Sequence, residues 1–559
     1  MLQAIAFASL LLSAPPAILD DPWQWEEQAK FVPTNTVLAS GMGWASAISG
    51  DTAIVGSNYD VHTGSGTNEG SAYIYVKSGQ GWQLQQKIIG LNPHTGQNFG
   101  SSVAISDDLV VVGALTDNTF ANVGGAVYVF ERNNGVWSLS AQIGETNPGD
   151  HHRFGAGVAT DGVSILVGSR GGGLLGNGAG YVYVRSGGSW IESAALENNA
   201  VPGSYSFGDS VAIQGAFALI GDAGDAVGGR EEAGSASFFR RSAGGWNLKQ
   251  KLKSPQPRAG ARFGFSVALS GERALIGAPW HAGTPGMPTG KAYVFALSGE
   301  TYGFEDTLPV PDPGVAANFG RSVGLSNDVA LVGAIAAEND LGTRTGAAFA
   351  FVRAGSEWSR LATILASDGL ADDWFGMSVA IDGANAVVGA PGTDELAPWS
   401  GSAYLFGTRR SSGASFCTME STGAACPCGN ESRGEEGCLN SSQHGAALTT
   451  VGEAIVANDS LVLVATQAPS AVTGLFFSSG TAGSPMPFGD GLRCVAGNLR
   501  RLGVANTSFD GVALSTTTLS QREGLSGGEL RHYQYWFRDH AGPCGTAFNV
   551  SSGYSLQWQ

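Results

Sequence analysis

One sequence unit recurs seven times at intervals of 53 to 57 residues. A fixed period of that length restricts the chain to an array of one supersecondary unit, each burying its apolar faces against its neighbours. The units open on Met42-Gly43, Phe99-Gly100, Phe154-Gly155, Phe207-Gly208, Phe263-Gly264, Phe319-Gly320 and Phe375-Gly376. In the second unit FGSSVAIS (99–106) ends at the turn signal Asp107-Asp108, and LVVVGA (109–114) follows. A polar, Gly-rich stretch leads to GAVYVF (125–130), and Asn133-Asn134-Gly135 turns the chain into WSLSAQI (137–143). These are four short runs rich in β-branched and aromatic residues with turn chemistry between them, and none has the length or period of a helix. Four antiparallel strands per repeat, arrayed radially, make a propeller blade, so the expected fold is an all-β, seven-bladed β-propeller.

The other units keep the order. Their second strands read AIVGS (53–57), ILVGS (165–169), ALIGD (218–222), ALIGAP (274–279), ALVGA (330–334) and AVVGAP (386–391). A glycine opens each third strand, and the fourth opens on Trp82, Trp137, Trp190, Trp246, Tyr302 or Trp358. The recurrent glycines fit close backbone approach or a special φ/ψ. The seventh unit has no fourth strand of its own. Residues 25–31, WEEQAKF, repeat the spacing of Trp82 to Ile88 and are expected to complete blade seven. Closure removes the sheet edges that an open ring would expose.

On these residues, FGxSVA followed by VGA or IGAP over about 20–407, the chain resembles the FG-GAP repeat family of integrin α-subunit propellers. The resemblance implies a propeller scaffold; a scaffold does not fix an activity. Many such blades carry a DxDxDG calcium loop between strands one and two, with oxygens at alternating positions suited to a hard cation. Here those hairpins are short: Ser49-Gly50-Asp51, Ser106-Asp107-Asp108, Ser270-Gly271-Glu272, Ser326-Asn327-Asp328 and Asp382-Gly383-Ala384. Calcium is therefore not carried over and no cofactor is expected, although irregular loops such as 222–233 leave calcium open.

Residues 1–19 read as a signal peptide, with cleavage near Ala14 or Ala17, and no later run reaches the length of a membrane helix. The protein is expected to be secreted or held at the cell surface. Its net charge of −17 argues against nucleic acid and anionic membranes as partners. The propeller is placed at 20–410, and a separate domain at 411–559 holds all six cysteines: Cys417, Cys426, Cys428, Cys438, Cys494 and Cys544. An even count in an exported protein suggests up to three disulfides, of open pairing. The rival, zinc held by Cys426, Cys428 and Cys438, suffers from a poor C-x-C chelate spacing. Five strand-like runs, at 460–468, 474–479, 492–498, 529–539 and 553–559, suggest a small β-sandwich. CPCGN (426–430), FGDGLRC (488–494), YQYWFRD (533–539) and PCGTAFN (543–549) resemble a terminal domain of secreted planctomycete proteins, a resemblance that implies surface attachment or sorting.

No catalytic constellation emerges. The eight histidines are scattered, and His151-His152 reads as a solvated linker pair. Gly524 to Gly528 matches G-x-S-x-G, but its flanks read as turn and strand, whereas a nucleophile elbow needs a strand before and a helix after. The long connections between second and third strands hold the candidate ligand-binding residues: Tyr59, Asp222, Asp225, Trp280, His281 and Trp399. Exposed aromatics there can stack on sugars or anchor a protein partner; the alternative is that they pack loop against loop. The expected function is non-catalytic recognition or adhesion of an extracellular protein or glycan. A multivalent lectin, a secreted hydrolase or lyase, and a structural matrix protein are the alternatives.

Overall fold

The computed structural model describes residues 25–558 apart from 35–39, 63–67, 79–80, 174–175, 198–205, 285–286, 310–316, 339–341, 355–356, 409–412, 419–423, 433–435, 452–453, 457, 460, 508–510 and 516–518. The expected leader, residues 1–19, lies outside the described residues. Sheet one runs Met42–Ser49, Thr52–Ser57, Ser71–Ser78 and Gly81–Ile88, four antiparallel strands in sequence order. Sheets two to six repeat that order, their first strands beginning at Phe99, Phe154, Phe207, Ser266 and Ser322. Sheet seven takes three strands from Ser378–Asp382, Asn385–Ala390 and Ser402–Thr408. Its fourth is Trp25–Phe31, with Trp25 opposite Thr408 and Phe31 opposite Ala403.

The second strands, such as Leu109–Ala114, are buried along their whole length, which is why they read as unbroken apolar runs. The fourth strands are largely exposed. The second-strand glycine packs against the anchor glycine of the next sheet. A Cβ on Gly56, Gly113, Gly168, Gly221, Gly277, Gly333 or Gly389 would run into the backbone carbonyl of Gly100, Gly155, Gly208, Gly264, Gly320, Gly376 or Gly43, respectively. The anchor serine joins the same contact: Ser210, Ser266 and Ser322 donate to the carbonyls of Gly264, Gly320 and Gly376 at 2.8 to 2.9 Å, and Ser378 to that of Gly43 at 2.9 Å. The short first hairpins are also linked. Ser49 Oγ accepts the N–H of Asp107 (3.1 Å), Ser270 Oγ that of Asn327 (2.9 Å), Ser326 Oγ that of Gly383 (3.1 Å), and Asp382 that of Gly50 (2.7 Å).

Beyond Thr408 a sheet is ordered Ala414–Phe416, Gly553–Gln557, Leu530–Arg538, Thr473–Ser479 and Arg500–Asn506, with Phe548–Val550 paired to Leu530–Arg538. A smaller sheet of Ala447–Val451, Val462–Thr466 and Ala513–Leu514 faces it. Leu448, Leu461 and Leu463 meet Phe476, Tyr533, Tyr535, Phe537 and Trp558 in one core. All five strand-like runs form strands; a short helix, Leu519–Glu523, is an addition to the expected all-β reading. The cysteines pair as Cys417–Cys494, Cys426–Cys438 and Cys428–Cys544, so the zinc alternative is left without a thiolate. Val462 joins the apolar cluster of sheets six and seven, with Val464, Leu514 and Trp25 packed on it.

Candidate functional site

In every sheet the second strand ends in the same turn. Three residues past its end stand Asp60, Asp117, Gly172, Asp225, His281, Ala337 and Thr393, and the carbonyl of each accepts the N–H of the glycine opening strand three, at 2.9 to 3.1 Å. Side chains gather over this turn. Ser71 Oγ and Tyr73 Oη donate to Asp60 Oδ2 at 2.6 and 3.1 Å, and Lys87 Nζ pairs with it at 2.7 Å. Burial lowers the Lys87 ammonium, but Asp60 outweighs burial and holds it above its ordinary value. Asp117 accepts from Tyr128 Oη and Gln97 Nε2, both at 2.7 Å. In sheet three Glu145 arrives from the inter-sheet connection, accepts from Tyr181 Oη and pairs with His152 Nδ1 at 2.8 Å. His152 is thus built into a side-chain cluster, which corrects its reading as a solvated linker residue; His151 is exposed. Asp225 pairs with Lys251 at 2.8 Å, and in sheet seven Asp368 accepts from Tyr404 Oη at 2.8 Å and pairs with Lys30. Each of these carboxylates is bonded within its own cluster.

A second set of residues follows the anchor glycines: Trp44, Ser101, Ala156, Asp209, Phe265, Arg321 and Met377. Where they are aromatic, they meet the connection residues. Trp44 packs edge-on to Tyr59 with centroids 5.5 Å apart, and Tyr59 also covers Gly41. The N–H of Gly41 is accepted by the carbonyl of Trp399, whose ring meets Trp374 at 4.7 Å. Trp399 keeps 45% of its surface exposed. In sheet five Phe265 and Trp280 meet at 4.9 Å; Arg262 lies over Trp280 at 4.7 Å and Arg321 over Phe265 at 4.6 Å. Arg262 is paired with Glu232, whereas Arg321 has no acidic partner among the described residues, and burial alone pushes its guanidinium down to about 10.

Tyr59 and Trp399 thus both border Gly41 at the junction of sheets seven and one, and Trp280 stands apart in sheet five. Asp222 and Asp225 are buried, Asp222 near enough to Asp209 to oppose its ionisation and Asp225 on Lys251. His281 is 1% exposed and faces Tyr293 rather than solvent. Sequence reading missed Trp44, Phe265, Arg321 and Trp374; aligning the repeats at the residue after the anchor glycine would have found the first three. Ser526 follows a helix and precedes a strand, the reverse of a nucleophile elbow, and bonds Glu529 at 2.8 Å. A shallow recess of about 450 Å³ in the C-terminal sheet is lined by Arg501, Arg522, Arg538 and Trp536. Among the described residues no group of three His, Cys, Asp or Glu is placed to hold a metal, and no helix is long and apolar enough to cross a membrane.

A family model of the FG-GAP repeat matches residues 25–75, 82–130, 246–295, 304–351 and 358–406. Each matched segment starts on the outer strand of one sheet and ends in the third strand of the next. No match is found among curated proteins.

Proposed function

Since five FG-GAP repeats are matched between residues 25 and 406, we propose that the seven sheets form a closed propeller, completed by the N-terminal strand, that serves as a non-catalytic recognition scaffold outside the cell. Closure is supported by the contacts of sheet seven with sheet one, which repeat those between the other neighbours. Three disulfides suit an oxidising compartment. The observation that carries the recognition reading is the half-open aromatic ground at two places on the repeat connections: Trp374 with Trp399, and Phe265 with Trp280 under Arg262 and Arg321. Indole faces beside cations are the side chains that dominate binding hot spots and stack on sugars. The module of residues 411–559 then attaches or sorts the protein at the surface.

The test is binding of the full chain to glycan and extracellular-protein arrays, with calcium and with chelator. Saturable binding that weakens about tenfold in Trp399→Ala or Trp280→Ala is expected. A glycan ligand makes the protein a lectin, and a protein ligand makes it an adhesin. Binding to neither, or binding indifferent to both substitutions, overturns the reading.

A further inference from the structure

The larger sheet of the C-terminal module turns Phe476, Tyr535 and Phe537 into its core. The alternate residues of those strands lie on the opposite face. There the register sets Val504, Leu475 and Trp536 side by side across three strands, with Arg538 opposite Phe548. Val504 keeps 70% of its surface exposed. This row floors the recess of about 450 Å³, and Arg501, Arg522 and Arg538 stand around it, all three exposed. Arg522 Nη1 donates to the carbonyl of Leu502, which holds that side chain against the strand. Arg501 and Arg538 make no ion pair and no side-chain hydrogen bond among the described residues. The carboxylates of the adjoining helix and turn, Glu523 and Glu529, are both taken by Arg531. Past the recess the aromatic ground continues. Trp536 meets Phe548 at 6.0 Å, Phe548 meets Phe488 at 5.2 Å, and Arg493 lies over Phe488 at 5.4 Å. Four guanidiniums therefore line a band of three aromatic rings, on a chain whose net charge is −17.

We propose that this face of the C-terminal module binds an acidic polysaccharide. Its sugar rings lie on the aromatic band, and its acidic groups are held by Arg501, Arg538, Arg522 and Arg493. Every charged residue lining the recess is an arginine, so the complement is an anion. The planar guanidinium fork grips an oxyanion through two parallel hydrogen bonds, as a lysine cannot. The apolar floor of Trp536, Leu475 and Val504 suits the C–H face of a sugar ring, and a band of rings suits a chain of them. The net charge selects between extended anions. A thin polymer reaches the arginines locally, within the Debye length of about 8 Å, whereas a bilayer would be repelled by the rest of the acidic surface. The site deepens the reading of residues 411–559 as an attachment module and rests on it for the compartment. Array binding through the propeller depends on Trp280 and Trp399, and binding here on Arg501 and Arg538, so either can fail while the other holds.

The probes are polygalacturonate, dextran sulfate and neutral dextran of matched length, titrated against the immobilised full chain at pH 7. Saturable binding of an acidic polymer, weakening as salt is raised, is expected, with none to dextran. Preference for one acidic polymer names the acidic group as carboxylate or sulfate, and either result supports the site. Arg501→Gln and Arg538→Gln remove exposed, unbonded side chains, so both variants should keep the thermal midpoint of the parent and bind about tenfold more weakly. Val504→Glu sets a carboxylate among the guanidiniums and should abolish binding. Arg241→Gln, which removes an exposed arginine of the propeller, should leave it unchanged. The proposal is overturned if neutral dextran binds as well, if Arg501→Gln and Arg538→Gln bind as the parent does, or if Arg241→Gln weakens binding as much as they do. It is equally overturned if phosphatidylserine vesicles or polyglutamate bind more tightly than both acidic polysaccharides.

Discussion

Lys87 lies over the ring of Tyr73 at 5.2 Å while its ammonium reaches Asp60, so one residue closes a cluster drawn from two strands and a turn. Replacing the aspartate with a histidine, as sheet five does, reverses the electrostatics. Burial, then Lys291, then Arg258 push His281 down to about 4. An unfolded histidine titrates near 6.5, so between these values the unfolded chain binds a proton that the folded chain refuses. Stability is therefore full above about pH 6.5 and falls as pH drops towards 4, by up to about 3 kcal/mol. Urea midpoints at pH 7 and 4.5, taken in carboxylate-free buffers, check this against His281→Phe. The wild-type chain should lose more stability than the variant over that interval; equal losses would show that His281 does not titrate in this way. None of this was legible from the residues singly, because the cluster becomes visible only when the seven turns are superposed.

The strand elements were readable because one steric demand recurs. The second-strand glycine lies against the next sheet's anchor carbonyl, a demand that only glycine meets, so the residue recurs in every repeat. Gly277→Ala pushes a methyl group into the carbonyl of Gly320, which is backbone and cannot swing aside. A destabilisation of about 2 to 3 kcal/mol is expected. Gly303→Ala, on the outer strand Thr301–Thr307, meets nothing closer than 4.0 Å and should be neutral or stabilising by about 0.5 kcal/mol. Comparable falls in thermal midpoint for the two variants would refute the close-approach account of the signature. The rim was harder to read for a physical reason: its partners lie far apart in sequence, as with Lys30 and Asp368, 338 positions apart. The cysteine pairing was likewise beyond spacing alone, since Cys428 and Cys544 are 116 residues apart and meet only once the C-terminal sheet has formed.

At the scale of the whole molecule the N-terminal strand is the piece on which the proposed closure depends. It pairs with Ser402–Thr408, places Gln28 Oε1 3.1 Å from the Trp82 indole nitrogen of sheet one, and stacks Phe31 on Tyr75 with centroids 3.5 Å apart. Trp25 also packs on the cluster that receives Val462 from the C-terminal module. Removing residues 1–31 therefore strips an edge strand, a stacking contact between sheets seven and one, and part of the docking ground of the C-terminal module. An unpaired strand edge of that length is a template for association with a second chain. The truncated protein should melt well below the full chain and self-associate on a sizing column. A synthetic peptide of residues 22–34 should add back as a strand and raise the midpoint, while a scrambled peptide should not. Full-length stability without residues 1–31, or rescue by either peptide alike, would mean that sheet seven does not need the N-terminal strand and that sheets seven and one are held together by the contacts of Gly43 with Gly389 and Ser378 alone.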